Sequence, residues 1–166
     1  MSDNTFLLRR IRWMTWITII GLVLSGVTAI PLETELNLLA KGMGLAQKTA
    51  AETHGLAHWL LKVRDGLQVA NTQWPFLAYG TDWLAFGHLM IALVFVGALR
   101  DPVKNIWLFD FGLLACLLVI PWAILFGGLR GIPFYWRLID CSFGIIGALP
   151  LWIARQDARK LMSQNA

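Results

Sequence analysis

All three histidines of the chain, His54, His58 and His88, fall in one stretch, Glu52 to Met90. His54 and His58 are four residues apart, the spacing at which two imidazoles on one helix can bind the same ion. His88 lies in an apolar run, where an ionisable side chain is costly and tends to be functional. Three imidazoles with an open coordination position would suit zinc, copper, iron or a haem. The pattern therefore predicts a metal or haem site on these three residues.

A second interpretation of the same residues requires no ligand. The sequence HxxxH lacks the glutamate of the HExxH motif, so its specificity is low. On a predicted helix, His54, His58 and Asp65 share a polar face, where histidines are commonly just solvated. A histidine inside a membrane span, such as His88, often hydrogen-bonds a neighbouring helix. Both interpretations remain open at the level of sequence.

Five further polar residues lie near the ends of apolar runs and are candidates for a site: Asp82, Arg130, Tyr135, Arg137 and Asp140. Asp82 precedes an apolar run, where a carboxylate complements the dipole at a helix start. Arg137 and Asp140 are one helical turn apart, so they could pair with each other or contact a ligand. Nearby tryptophans would suit an amphipathic lipid, a quinone or a porphyrin.

The elements that position these residues are membrane helices. The chain is 57% hydrophobic and 14% charged, whereas soluble domains carry about 25% charged residues. Crossing a bilayer takes about 20 apolar residues, and four runs qualify. We predict an all-α membrane protein with a compact bundle of four transmembrane helices, a single membrane domain over residues 1–166. The predicted spans are 13–30, 83–99, 106–127 and 138–153.

The segment 32–79 between the first two spans has mixed polarity, and its apolar residues recur at helical intervals. They are Leu32, Leu36, Leu39, Met43 and Ala46, then Leu56, Leu60, Val63 and Leu67. We expect one or two amphipathic extracytoplasmic helices here, separated near Gly42–Gly44, because glycine destabilises a helix.

Basic residues beside the spans predict the topology. Eight lie on the side of the N-terminus and six on the other, so both termini are predicted to be cytoplasmic, in the plasma (bacterial inner) membrane. The first run exceeds the apolar core of a signal peptide, about 7–15 residues, so we expect an uncleaved anchor. Because the basic residues flank spans instead of forming a stripe, no nucleic-acid partner is expected.

The basic start of a tryptophan-rich first span and the histidine-bearing segments resemble the four-helix membrane cytochromes b. That resemblance implies a haem held between histidines on facing helices within the membrane. This chain departs from the pattern, because its first, third and fourth predicted spans contain no histidine. The departure leaves haem binding dependent on His54, His58 and His88 alone.

Three functions remain open, and whether the chain is an enzyme is undecided. The first is a ligand, metal or haem site at the extracytoplasmic end of the bundle. The second is a structural or assembly subunit that binds other membrane subunits or a second copy through small residues one turn apart. These are Gly21 with Ser25, Gly112 with Cys116, and Gly144 with Ala148. The third is a channel or proton path using Asp110 and His88, although Asp110 is also expected to pair with Arg12, Arg100 or Arg155.

Overall fold

A computed structural model describes residues 3–164, and the regular structure of this range is helical. Two short 3₁₀ helices, Ala50–Glu52 and Pro75–Ala78, flank the third α-helix. The six α-helices are α1 (Asp3–Ala29), α2 (Leu32–Gly42), α3 (Gly55–Gln73), α4 (Tyr79–Arg100), α5 (Ile106–Leu129) and α6 (Phe134–Gln164).

Within residues 3–164, four helical segments are long and apolar enough to cross a membrane, as a multi-pass membrane protein requires. They are Asn4–Ala29, Pro75–Arg100, Ile106–Leu129 and Phe134–Gln164. At two ends the helices are longer than the predicted spans. The first helix begins ten residues before Trp13, and α6 continues through the charged segment after Ile153. Arginine, lysine and glutamine are good helix formers, so loss of hydrophobicity ends a span without ending its helix.

The chain divides into two compact units, whose boundaries fall inside α1 and α4. The first unit comprises Met1–Leu22 and Ile91–Ala166. Its hydrophobic core draws residues from the start of α1, the end of α4, α5 and α6. Ile11, Phe95, Leu108 and Phe109 are fully or almost fully buried there. Many apolar side chains on the outer faces of these helices are exposed, as in α5. They form the surface that is expected to contact lipid.

The second unit is Val23–Met90 and contains α2 and α3. Ala40 packs against Leu60 and Leu61 in a small core between the two helices. The helices lie in segment 32–79 as predicted, and α2 ends at Gly42, where the sequence predicted a break. Leu56, which was assigned to the apolar face of α3, is 48% exposed. The amphipathic character of these helices and their side of the membrane remain predictions.

Candidate functional site

His54 does not share a helix with His58. It directly precedes α3 and has an extended backbone, φ −130° and ψ 161°. The next residue, Gly55, has φ +60°, a left-handed conformation that glycine adopts without the steric cost of a Cβ. The predicted helical face with His54 one turn before His58 was therefore wrong, because Gly55 starts the helix after His54.

The other two imidazoles bond to backbone carbonyls of their own unit. Nδ1 of His58 lies 2.8 Å from the oxygen of Ala50, and Nδ1 of His88 lies 2.8 Å from the oxygen of Leu84. With Nδ1 donating, each ring presents Nε2 as an acceptor. His88 also packs closely on α1, because a Cβ added at Gly26 would lie 3.1 Å from the His88 Cβ.

Within residues 3–164, no group of three or more His, Cys, Asp or Glu side chains could hold a metal ion. The geometry thus gives no support to a zinc, copper, iron or haem site shared by His54, His58 and His88, and such a site stays a prediction. Elemental analysis and visible absorption of the purified protein test it. Asp65, predicted on the same face, pairs instead with Arg64 at 2.7 Å.

Arg137 closes the connection between α5 and α6. Its Nε donates to the oxygen of Ile132 at 3.0 Å, and its terminal nitrogen donates to the oxygen of Ile124 at 3.3 Å. The aliphatic stem crosses Gly127 so closely that an added Cβ there would lie 2.6 Å from it. The guanidinium satisfies carbonyls at the helix end, and the predicted ion pair with Asp140 does not form. Arg137 is therefore engaged in holding the turn.

Asp140 is a half-buried carboxylate one turn further along α6. It lies on the side of the helix that carries Arg137 and Gly144, both of which contact α5. In the part of the chain that the structure describes, Asp140 forms no ion pair, whereas Asp110 and Asp157 each bind an arginine. An ionisable group inside a membrane span is costly and tends to be functional.

Two ion pairs tie α6 to its neighbours at the other end of the first unit. Arg155 binds Asp110 of α5, one of the three partners predicted for this aspartate. Arg10 of α1 binds Asp157 through two hydrogen bonds of 2.5 Å. This second pair was not predicted, because the sequence pattern does not show which helices lie side by side. The proton path through Asp110 and His88 stays a prediction.

Glycines bring α5 and α6 into close contact. A Cβ added at Gly144 would lie 2.5 Å from the backbone oxygen of Cys116, and one at Gly147 would lie 3.3 Å from the Cys116 sulfur. Both cysteines are free thiols. Gly144, which the sequence offers as a contact to other subunits, packs against α5 of its own chain, as does Gly147. Among the described residues, nothing lies within 4 Å of a Cβ added at Gly21.

The remaining candidates are exposed. Asp82 lies in the first turn of α4, the position at which a carboxylate complements the helix dipole. Arg130 directly follows the end of α5, and Tyr135 is 40% exposed. The turn between α4 and α5, residues 101–105, is held by hydrogen bonds of its own side chains. The Asn105 amide donates to the oxygen of Gly97 at 3.1 Å, and the Asp101 carboxylate accepts from the Lys104 amide at 3.1 Å.

No protein-family model, curated protein or solved structure matches the chain. The case for function therefore depends on the geometry of its own residues.

Proposed function

We propose that this multi-pass protein of the plasma membrane binds an amphipathic ligand at the extracytoplasmic end of α5 and α6, and that Asp140 contacts the ligand's head group. The observation that carries the proposal is the lack of a charged partner for Asp140 within residues 3–164. The proposed orientation, with both termini cytoplasmic, places this end of α6 near the outer surface.

Three carboxylates of the first unit, those of Asp110, Asp140 and Asp157, differ in their pairing. Burying a charge in an apolar environment is costly unless the charge is paired. Asp110 and Asp157 meet this condition through Arg155 and Arg10. Asp140 does not, although Arg137 is only three residues away, because that guanidinium is bound to carbonyl oxygens. A partner from outside the chain would compensate the cost at Asp140.

The surroundings of Asp140 indicate what kind of ligand fits. An ionised carboxylate only accepts hydrogen bonds, so the head group must be cationic or carry donors. Phe143, three residues on and therefore adjacent on the helix surface, is 67% exposed. An aromatic ring beside a carboxylate suits a lipophilic cation, whose apolar part would lie against Phe143.

Binding of tetraphenylphosphonium, a lipophilic cation, tests the proposal. Purified protein in detergent is titrated, and the thermal midpoint is followed by tryptophan fluorescence. The wild type should be stabilised, and Asp140→Asn should not. Glu35→Gln is the matched control, because it removes one carboxylate from α2, outside the spans, and should respond like wild type. Equal stabilisation of all three proteins would contradict a role for Asp140.

A second candidate function is assembly with other membrane subunits or a second copy through α1. It is favoured by Gly21, an exposed glycine in a span, because uncovered small residues let another helix approach closely. The mass of the protein–detergent complex by light scattering tests self-association. Gly21→Leu should reduce that mass to one chain if α1 is the contact, and an unchanged mass would reject this interface.

A further inference from the structure

The N-terminal half of α1 carries a stripe of basic and aromatic side chains that the fold does not use. Arg9, Arg12, Trp13 and Trp16 occupy positions i, i+3, i+4 and i+7 of the helix, so they lie on one side of it. All four are exposed, Trp13 to 64% and Trp16 to 48%. They line an open depression of about 280 Å³.

The charges of the stripe are uncompensated. Neither Arg9 nor Arg12 forms an ion pair with any residue of 3–164. Arg10 differs, because it turns towards α6 and its charge is balanced by Asp157. Arg10 therefore stabilises the fold, whereas Arg9 and Arg12 are exposed and could bind a ligand.

We propose that Arg9, Arg12, Trp13 and Trp16 bind the head group of an anionic phospholipid at the membrane surface. The guanidinium fork matches the geometry of a phosphate and can bind it through two parallel hydrogen bonds. Tryptophan rings prefer the level of the lipid head groups, where their apolar body and N–H are both satisfied. Directly after Trp16, the helix enters the apolar run Ile17–Ile20, so the arginines lie at the depth of the lipid phosphates.

Charge complementarity favours an anionic phospholipid as the ligand of this site. A basic residue close to an anionic membrane surface contributes about 1 kcal/mol, so two arginines strengthen binding roughly 30-fold. A zwitterionic lipid offers the same phosphate with a compensating ammonium group. The site should therefore prefer phosphatidylglycerol over phosphatidylcholine of the same acyl chains.

Native mass spectrometry of the full-length protein in detergent, titrated with each lipid, tests the proposal. Wild type should bind phosphatidylglycerol more tightly than phosphatidylcholine, and Arg9→Gln/Arg12→Gln should lose that preference, with binding roughly 30-fold weaker. Arg159→Gln/Lys160→Gln is the matched control. It also removes two exposed positive charges from the first unit, and it should bind like wild type.

Three results would overturn the proposal: no preference for phosphatidylglycerol in wild type, equal losses in the two double variants, or displacement of the lipid by millimolar inorganic phosphate. Arg9→Lys/Arg12→Lys guards against a folding defect in the glutamine variant. Lysine keeps the positive charge but lacks the planar guanidinium fork, so this variant should retain part of the preference for phosphatidylglycerol. Complete loss in this variant, with an unchanged circular dichroism spectrum, would also contradict the electrostatic part of the proposal.

Discussion

Arg10 and Asp157, 147 residues apart in sequence, are joined by two hydrogen bonds of 2.5 Å between guanidinium and carboxylate. The pair links α1 to α6, and its carboxylate is 1% exposed while its arginine is 39% exposed. Breaking a buried ion pair typically costs about 3–5 kcal/mol, and breaking an exposed one about 0–1 kcal/mol. Because Asp157 is buried and Arg10 is partly exposed, the cost of breaking this pair should lie between these two values.

Asp157→Ala should therefore lower the free energy of unfolding by about 2 kcal/mol, because Arg10 loses its partner. Unfolding in mixed micelles, followed by tryptophan fluorescence, measures the change. Lys104→Met is the control, since its pair with Asp101 spans 3.6 Å at the surface and should contribute little. A double-mutant cycle with Arg10→Met isolates the coupling, and additive effects would show that the pair does not stabilise the fold.

Gly144→Ala should destabilise the protein by more than about 1 kcal/mol, because overpacking forces helices apart. The new Cβ would meet the backbone oxygen of Cys116 at 2.5 Å, and a backbone atom cannot move aside as a flexible side chain can. Gly66→Ala, inside α3, is the matched control: it adds the same methyl group in open space and should be neutral or slightly stabilising. Similar effects of the two substitutions would contradict the close α5–α6 contact.

The pKa of Glu52 should lie below its ordinary value. The Thr49 amide donates to its carboxylate at 2.7 Å, and the Thr49 hydroxyl lies 3.1 Å away. Because the folded-state pKa is lowered, the charged form stabilises this turn above the unfolded pKa of about 4.3. That contribution is lost as the pH falls through the folded-state pKa.

A carbon-13 titration of Glu52 in micelles measures this shift. Thr49→Val removes the hydroxyl but leaves the amide, so it should raise the pKa only part of the way. A wild-type value at or above that of an unperturbed glutamate would mean that the Thr49 hydrogen bonds do not form.

The proposed topology predicts that a green fluorescent protein fused after Ala166 is fluorescent and an alkaline phosphatase at the same position is inactive. The reason is the greater number of basic residues flanking spans on the side of the termini. A fusion within segment 32–79 should give the opposite pair of results. Active phosphatase at the C-terminus would place that end outside the cytoplasm and reverse the orientation.

Hydrophobic patterning was sufficient to predict four helices long and apolar enough to cross a membrane, because a bilayer requires long apolar runs whatever their partners. Patterning could not predict which charges meet. The Arg10–Asp157 pair depends on how α1 lies against α6, and Arg137 could have bound either Asp140 or carbonyl oxygens. His54 shows a local limit: the spacing indicated one helix, but the left-handed Gly55 places His54 before it. Asp140 was a candidate from sequence, and the contacts of Arg137 explain why this neighbouring arginine does not pair with it.

The most direct test of the central claim is the reactivity of the carboxyl groups with dicyclohexylcarbodiimide, an apolar reagent that reaches them from the lipid phase. Peptide mapping by mass spectrometry should find the modification on Asp140, reduced by tetraphenylphosphonium, and not on Asp157, which is buried against Arg10. Modification of Asp157 with none on Asp140, or labelling of Asp140 that tetraphenylphosphonium leaves unchanged, would contradict a ligand site at this end of α6.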